Sequence, residues 1–429
     1  MDKRMRVSLF EILDCISSAI DMVSPEIANH HHQTAFLAYR IAQQMQLSEE
    51  AQRNVLMAGI IHDVGALSTR ERLSLVEEEP VDVNSHGFRG ARLLEEFEYF
   101  REIANIVRYH HLAWDFGRGR HYGDAVVPVE SHILHLADRV CVQLRREPSL
   151  LMQVPGALAS VEAERNTVFM PDTLDALQAL APREYVWLEL FYNAPIENAT
   201  VPAMRALDMD EVLSISHMLS HIIDFRSHFT ATHSAGVAAT AEKLAEYAGF
   251  SQNECRQMRI AGYLHDLGKL AIDNAILEKP GKLDAREFSA IRSHTFYTYH
   301  LLGRIQGFET INQWASFHHE KLNGTGYPFH LSAEALPAGA RIMAVADVFT
   351  AITEPRPYRP GMGRDQVVRT LRSMVQSGAL CGRVVSSLLD HLSLLTRLCL
   401  DSQLEAAEYY DSICKEDDTL CKARRGSLA

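Results

Sequence analysis

Along the chain, apolar positions return with the spacing of a helix face and seldom alternate as a strand's do. Val237, Ala238, Ala241, Leu244, Ala245 and Ala248 form one such face, closed by Gly249 as a helix stop, and Ala35, Ala38, Ile41, Ala42 and Met45 form its counterpart far upstream. Alternating runs of β-branched residues are scarce, so the pattern predicts an all-α fold with no sheet of consequence. The Gly- and Pro-bearing segments 114–128 and 323–337 read as loops. Residues 193–202, with Pro195 and Pro202, read as a linker, and 204–229 as a helical lead into the second half. Glu11 and Asp14 interrupt the apolar stretch 7–20 and no small-residue cleavage site follows it, which argues against a secretion signal. No window reaches the roughly 18 uninterrupted apolar residues of a bilayer span, so no membrane partner and a cytoplasmic location are expected.

The two helix faces belong to an internal repeat. Residues 30–67 match 233–270 without a gap at an offset of 203, with 12 of 38 positions identical, and residues 83–111 match 291–319 at an offset of 208, with 9 of 29 identical. The match closes at Ala137-Asp138 against Ala346-Asp347. Shared apolar positions such as Ala35/Ala238, Ala42/Ala245 and Leu93/Leu301 are explained by packing. The shared polar positions are almost all His or Asp, which packing does not explain, because ionisable groups are rarely buried without partners. Two tandem helical domains are expected, at 1–195 and 196–400. A tail at 401–429, acidic at Glu416-Asp417-Asp418 and then basic at Lys422, Arg424 and Arg425, reads as a solvated end.

Composition narrows the partners. The 429 residues are 47% hydrophobic and 23% charged, an ordinary globular balance that excludes wholesale disorder. A formal net charge of −13 disfavours nonspecific binding to DNA, RNA or anionic lipid, so a phosphate-bearing ligand must meet local positive charge. Seven cysteines, scattered without CxxC spacing, read as reduced thiols.

A metal centre supplies such charge, and the 21 histidines allow one. In the second copy the candidate ligands are His233, His265, Asp266, His294, His318, His319 and Asp347. Imidazole with carboxylate suits divalent transition metals, and the absence of cysteine argues against a structural zinc site. Seven donors exceed the need of one ion. An adjacent His-Asp pair can set its Asp between two ions, the device that polarises a phosphoryl oxygen and acidifies a bridging water in phosphoester cleavage. Lys269, one helical turn beyond that pair, can reach a phosphate on the same face. Arg356 and Arg359 follow Asp347 closely and can grip a second phosphate by bidentate contact, although a solvated loop paired with Glu354 explains them equally well.

The order H…HD…H…HH…D resembles the HD phosphohydrolase superfamily. His265-Asp266-Leu267-Gly268-Lys269, together with His318-His319-Glu320-Lys321-Leu322-Asn323-Gly324-Thr325-Gly326-Tyr327-Pro328, resembles its HD-GYP subfamily. The close resemblance covers 227–362, while the first copy resembles only the broader superfamily, and the pairing resembles bacterial tandem HD/HD-GYP phosphodiesterases of cyclic di-GMP or 3',3'-cyclic GMP-AMP. The resemblance implies two divalent ions, iron or manganese. His233, His265 and Asp347 would hold one and His294, His318 and His319 the other, with Asp266 bridging. Lys269 would meet the scissile phosphate and Tyr327 would shape the substrate site. Members with three metals carry a Glu four positions before the first His. Phe229 stands there, which implies two metals unless Asp224 or His228 substitutes. Asn323 stands where many members have Asp.

The first copy keeps His30, His62, Asp63, His86, His110, His111 and Asp138, so a metal site is open to it. It has Ala66 for the lysine, Leu112 for the glutamate after the His pair, and no Gly-Tyr-Pro within 114–122. A regulatory or structural role is expected for it. The expected function is metal-dependent hydrolysis of a cyclic dinucleotide to a linear one. The alternatives are an HD hydrolase of another nucleotide, against which Gly326-Tyr327-Pro328 counts, and a noncatalytic sensor or interaction module, against which the complete ligand set counts. A homodimer is compatible with the sequence.

Overall fold

The computed structural model describes residues 6–22, 29–66, 68, 71, 84–146, 149–192, 205–226, 231–279, 281–354 and 360–427, the last fourteen by their backbone alone. The expected linker at 193–202, His228, Phe229, Arg356 and Arg359 lie outside the described residues.

The chain folds into two compact units, each discontinuous. One comprises Ile16–Arg205 with Glu416–Ala429, the other Met1–Cys15 with Ala206–Lys415. In chain order the helices are α1 (Leu9–Asp21), α2 (His30–Gln44), α3 (Glu49–Ile61), α4 (Asn84–Leu94), α5 (Arg101–Arg108), α6 (Val129–Cys141), α7 (Leu150–Ala163), α8 (Pro171–Leu180) and α9 (Glu184–Phe191). They continue with α10 (Met209–Asp224), α11 (His233–Tyr247), α12 (Gln252–Leu264), α13 (Asn274–Leu277), α14 (Ala285–Leu302), α15 (Glu309–Ser316), α16 (Ala338–Thr353), α17 (Arg364–Gln376), α18 (Gly382–Asp390) and α19 (Leu392–Ser427). The expected all-α fold with two helical domains is what the chain adopts. Strand structure among the described residues is limited to two antiparallel pairs, β1 (Val7–Ser8) with β4 (Ala206–Leu207) and β2 (His121–Tyr122) with β3 (Ala125–Val126).

The repeat is visible in how each unit starts its core. Ser48 caps α3 by accepting from the Ala51 amide, and Ser251, at the same repeat position, caps α12 in a reciprocal capping box with Glu254. In each unit this helix crosses the preceding one where two small residues meet. A Cβ added to Gly59 would lie 2.5 Å from the Ala35 Cα, and one on Gly262 would lie 2.5 Å from the Ala238 Cα. The shared Ala35/Ala238 pair is therefore a packing feature, as its apolar character implies. The turn after α12, a 3-10 segment at Leu267–Ala271, lies so close to α14 that a Cβ on Gly268 would fall 2.0 Å from the His294 carbonyl oxygen. That contact sets the distance between the His-Asp pair and the third histidine.

The C-terminal segment departs from the expected solvated end. Helix α19 continues to Ser427, and within it Gln403, Ala406 and Ile413 are buried, while Tyr409 and Tyr410 pack on Phe225. Apolar residues at helical spacing, obscured in sequence by the charged run that follows them, hold the segment as far as Ile413 to the C-terminal unit.

Two glycines test these constraints. Gly268→Ala should cost about 1–3 kcal/mol through forced displacement of a backbone neighbour. Gly156→Ala, in the body of α7 with nothing within 4 Å of its added Cβ, should be neutral or stabilise by about 0.5–1 kcal/mol. Chemical denaturation followed by circular dichroism separates the two, and equal effects would contradict the packing described.

Candidate metal centre and active site

Helix ends deliver most of the C-terminal cluster. His233 opens α11, His265 follows the last turn of α12 with Asp266 beside it, and His318 and His319 follow α15, while His294 and Asp347 project from within α14 and α16. The structure brings all seven together. His233, His265 and Asp347 each place a donor atom within 4.8 Å of the other two, and so do His294, His318 and His319.

Backbone acceptors set the tautomers of three rings. Nδ1 of His265 lies 2.8 Å from the Gly262 carbonyl oxygen, that of His294 2.5 Å from Ile291 and that of His318 2.6 Å from Ala315. A ring that donates from Nδ1 to a carbonyl turns a bare Nε2 lone pair the other way. Burial keeps His294 neutral, pushed down to about 3, and holds His318 well below the ordinary imidazole range. The three Nε2 atoms face the Asp266 carboxylate, at 3.3 Å from His265, 3.3 Å from His294 and 4.0 Å from His318, and the His294 and His318 Nε2 atoms are 3.3 Å apart. His265 Nε2 has no hydrogen-bond partner. Imidazole nitrogens and carboxylate oxygens gathered at these distances are the donors that a divalent cation takes up. The donor set and its orientation therefore fit divalent metal ions.

Asp266 is 2% exposed. Burial would raise its pKa, but the His265 ring and the Lys269 ammonium outweigh that and hold it well below the usual carboxylate range. Lys269 Nζ lies 2.5 Å from Asp266 Oδ2, and its side chain is 21% exposed. His319, with 32% of its side chain exposed, stands at the opening, with Nδ1 3.7 Å from Asp347 Oδ2. Its ring centroid is 5.0 Å from that of Tyr327, over which the Arg292 guanidinium lies at 4.8 Å.

Several contributors have no local sequence signature. Glu354 Oε2 lies 3.3 Å from His233 Nδ1, leaving Nε2 toward Asp347 Oδ1 at 3.2 Å, and Thr232 and Gln403 hold the Glu354 carboxylate in turn. Burial opposes a charge on His233, but Asp347 and Glu354 together raise it to about 10. Asp224, weighed above as a substitute ligand, accepts from the amide and the hydroxyl of Ser234, both at 2.9 Å, and so ties down the start of α11.

The loop beyond the His pair is held by Glu320. Its buried carboxylate accepts from three backbone amides, those of Phe329 at 2.6 Å, His330 at 3.1 Å and Leu331 at 3.0 Å. Gly326 is pressed against the backbone of Glu320 and Lys321, where a Cβ would sit 2.4 Å from each. Asn323 donates through Nδ2 to the Ser377 carbonyl and accepts through Oδ1 from Thr325, a combination that an aspartate, having no donor, cannot make. Tyr327 is thereby fixed beside His319.

Two outcomes follow from this geometry. Glu320→Ala leaves three amides without their acceptor, so limited proteolysis should cut within 323–332 while the metal content is retained. Loss of metal with the loop still resistant would contradict the assignment. In chelator-treated protein the imidazolium of His233 must lose its proton for a metal to bind. Affinity for a divalent ion should therefore climb with pH towards about 10, by about tenfold per unit for each proton released. Metal titrations between pH 6 and 9 read this directly, and a flat profile would contradict it.

Comparison with known proteins agrees with this construction. Residues 27–142 and 217–380 each match a family described as "HD domain". A Vibrio cholerae protein named 3'3'-cGAMP-specific phosphodiesterase 1 is 31% identical over 396 residues, which cover 90% of this chain and 91% of that protein. A cyclic di-GMP phosphodiesterase response regulator of Xanthomonas campestris is 34% identical over 48% of this chain and 54% of its own length. The crystal structure of a cyclic GMP-AMP-specific phosphodiesterase of V. cholerae shares the fold, with a TM-score of 0.63 at 23% identity over 91% of this chain and 99% of that one. With both halves matched and a relative aligned along nine-tenths of its length, the chain belongs to the HD domain family and carries two HD domains in tandem.

Proposed function

We propose that the C-terminal unit hydrolyses a cyclic dinucleotide to a linear dinucleotide, with 3',3'-cyclic GMP-AMP as its preferred substrate. The observation that carries the reading is an open metal-ligand cluster. Six further donor residues gather about Asp266, and the two groups left partly exposed, Lys269 and His319, stand at its mouth. The preference is supported by the extent of the matches, since the relative that aligns along nine-tenths of the chain is named for that substrate and the cyclic di-GMP relative aligns with about half.

His233, His265 and Asp347 would hold one ion and His294, His318 and His319 the other, with Asp266 between them. Iron or manganese suits these donors. Such ions supply Lewis acidity to the phosphoryl oxygen and acidify water. The remaining work falls to side chains. The Lys269 ammonium, which Asp266 keeps charged, meets the anionic phosphate and stabilises charge that builds on it during cleavage. Tyr327 with the Arg292 guanidinium over its ring offers an aromatic surface and a cation to the rest of the nucleotide. The N-terminal unit takes no part in bond cleavage, because Ala66 occupies the lysine position and Leu112 the position of the loop-holding glutamate.

Full-length protein loaded with iron(II) or manganese(II) should open 3',3'-cyclic GMP-AMP faster than cyclic di-GMP, and exhaustive chelation should abolish both reactions. Lys269→Ala should keep its metal and lose about 10²- to 10³-fold in turnover, whereas Asp266→Ala should lose metal and turnover together. Turnover that survives chelation, or binding without cleavage under every metal tried, would overturn the reading.

A further inference from the structure

The N-terminal unit reproduces the geometry of the C-terminal cluster almost bond for bond. Asp63 lies 3.3 Å from His62 Nε2, 3.2 Å from His86 Nε2 and 3.8 Å from His110 Nε2, against 3.3, 3.3 and 4.0 Å about Asp266. His86 and His110 face each other at 3.3 Å, as His294 and His318 do. His62 and His110 turn Nδ1 to the carbonyls of Gly59 and Val107, at 2.9 and 2.6 Å, so their Nε2 atoms point inward. His30 Nε2 lies 3.0 Å from Asp138 Oδ1.

Arg139 pairs with Asp138 Oδ2 at 2.7 Å, where Val348 follows Asp347 in the C-terminal unit, and two further differences separate the sites. In the C-terminal unit Asp224 binds Ser234, and Lys269 faces the outer oxygen of Asp266. At the same offset of 203, Asp21 replaces Asp224 and His31 replaces Ser234. Asp21 and His31 Nδ1 share a short hydrogen bond, which leaves His31 Nε2 4.0 Å from Asp63 Oδ2, the oxygen that corresponds to the one Lys269 occupies. A buried carboxylate behind a histidine, with the other ring nitrogen turned to the cluster, is the usual support of a metal ligand. The second difference is closure. Among His30, His31, His62, Asp63, His86, His110, His111 and Asp138 no residue is more than 6% exposed, whereas His319 and Lys269 open the C-terminal site.

We propose that the N-terminal unit is a second, closed metal centre, in which His31, oriented by Asp21, replaces the lysine cation with an eighth donor and the bound divalent ions stabilise the unit. His31 Nε2 is buried without a hydrogen-bond partner, and the Nε2 atoms of His62 and His86 both lie within 3.3 Å of the Asp63 carboxylate. Gathering buried nitrogen and carboxylate donors this closely is costly, and a divalent cation is a partner that satisfies them together. Closed sites with every position filled by protein are the structural kind, and open ones the catalytic kind. The chemistry favours a first-row transition metal with imidazole and carboxylate ligands.

The test reads metal, not turnover, in full-length protein reconstituted with cobalt(II), whose visible absorption reports its ligands. Asp63→Ala and Asp266→Ala should each retain about half the cobalt of the unaltered chain, and the double variant almost none. In the Asp266→Ala background, His31→Ser, which restores the residue of the C-terminal unit, should change the remaining cobalt spectrum and weaken cobalt binding by about 10- to 100-fold. Cobalt should also raise the unfolding midpoint of Asp266→Ala, and His31→Ser should reduce that rise. If Asp63→Ala holds as much cobalt as the unaltered chain while Asp266→Ala loses nearly all, the N-terminal centre does not exist and the C-terminal reading stands untouched. If His31→Ser leaves spectrum, affinity and midpoint unchanged, His31 is no ligand.

Discussion

The convergence of buried nitrogen and carboxylate donors on one aspartate is the constraint on which each unit depends. Imidazoles whose Nδ1 meets a main-chain carbonyl, three in the C-terminal unit and two in the N-terminal one, aim their remaining nitrogens at one carboxylate, Asp266 in one unit and Asp63 in the other. An apolar core would not tolerate this convergence without a cation. The helices serve to enforce it. The carbonyls that fix the rings belong to residues three positions earlier in the chain, so the ring orientation is written into the last turns of the helices themselves.

The two units show how one scaffold is directed to different ends by few substitutions. Lysine at 269 adds a positive charge, held on Asp266, at a partly exposed edge, and alanine at 66 removes it. Glutamate at 320 collects three amides and fixes an aromatic loop beside the opening, and leucine at 112 has no such capacity. Histidine at 31 fills from within what lysine guards from outside. None of these changes disturbs the helix crossings, which rest on Gly59 against Ala35 and on Gly262 against Ala238.

Much of this was legible in the sequence, because the repeat supplied a comparison internal to one chain. Gapless offsets isolated the His and Asp positions, and helical periodicity gave the all-α fold. What escaped were partners joined only by tertiary folding. Glu354 stands 121 residues from His233, and Gln403 behind it lies in a segment that composition marked as solvated. Arg292 belongs to a helix whose polar face gave no reason to single it out. His31 stands in a run of three histidines, and only the position of Asp21 distinguishes its role from that of His30. The Asn323 side chain likewise gained a meaning once its donor was seen to meet the Ser377 carbonyl.

The pairing of Val7 with Leu207 and of Ser8 with Ala206 places the start of the chain in the unit made last. A ribosome adding about 5–20 residues per second needs on the order of ten to forty seconds to cover that interval. During it the first strand lacks its partner β4, and the intervening helices of the N-terminal unit can form before the C-terminal unit is able to close. Synthesis therefore makes the helices α2 to α9 before the strand that pairs with Val7 and Ser8 exists, and the unit that carries Lys269 joins segments made at widely separated times.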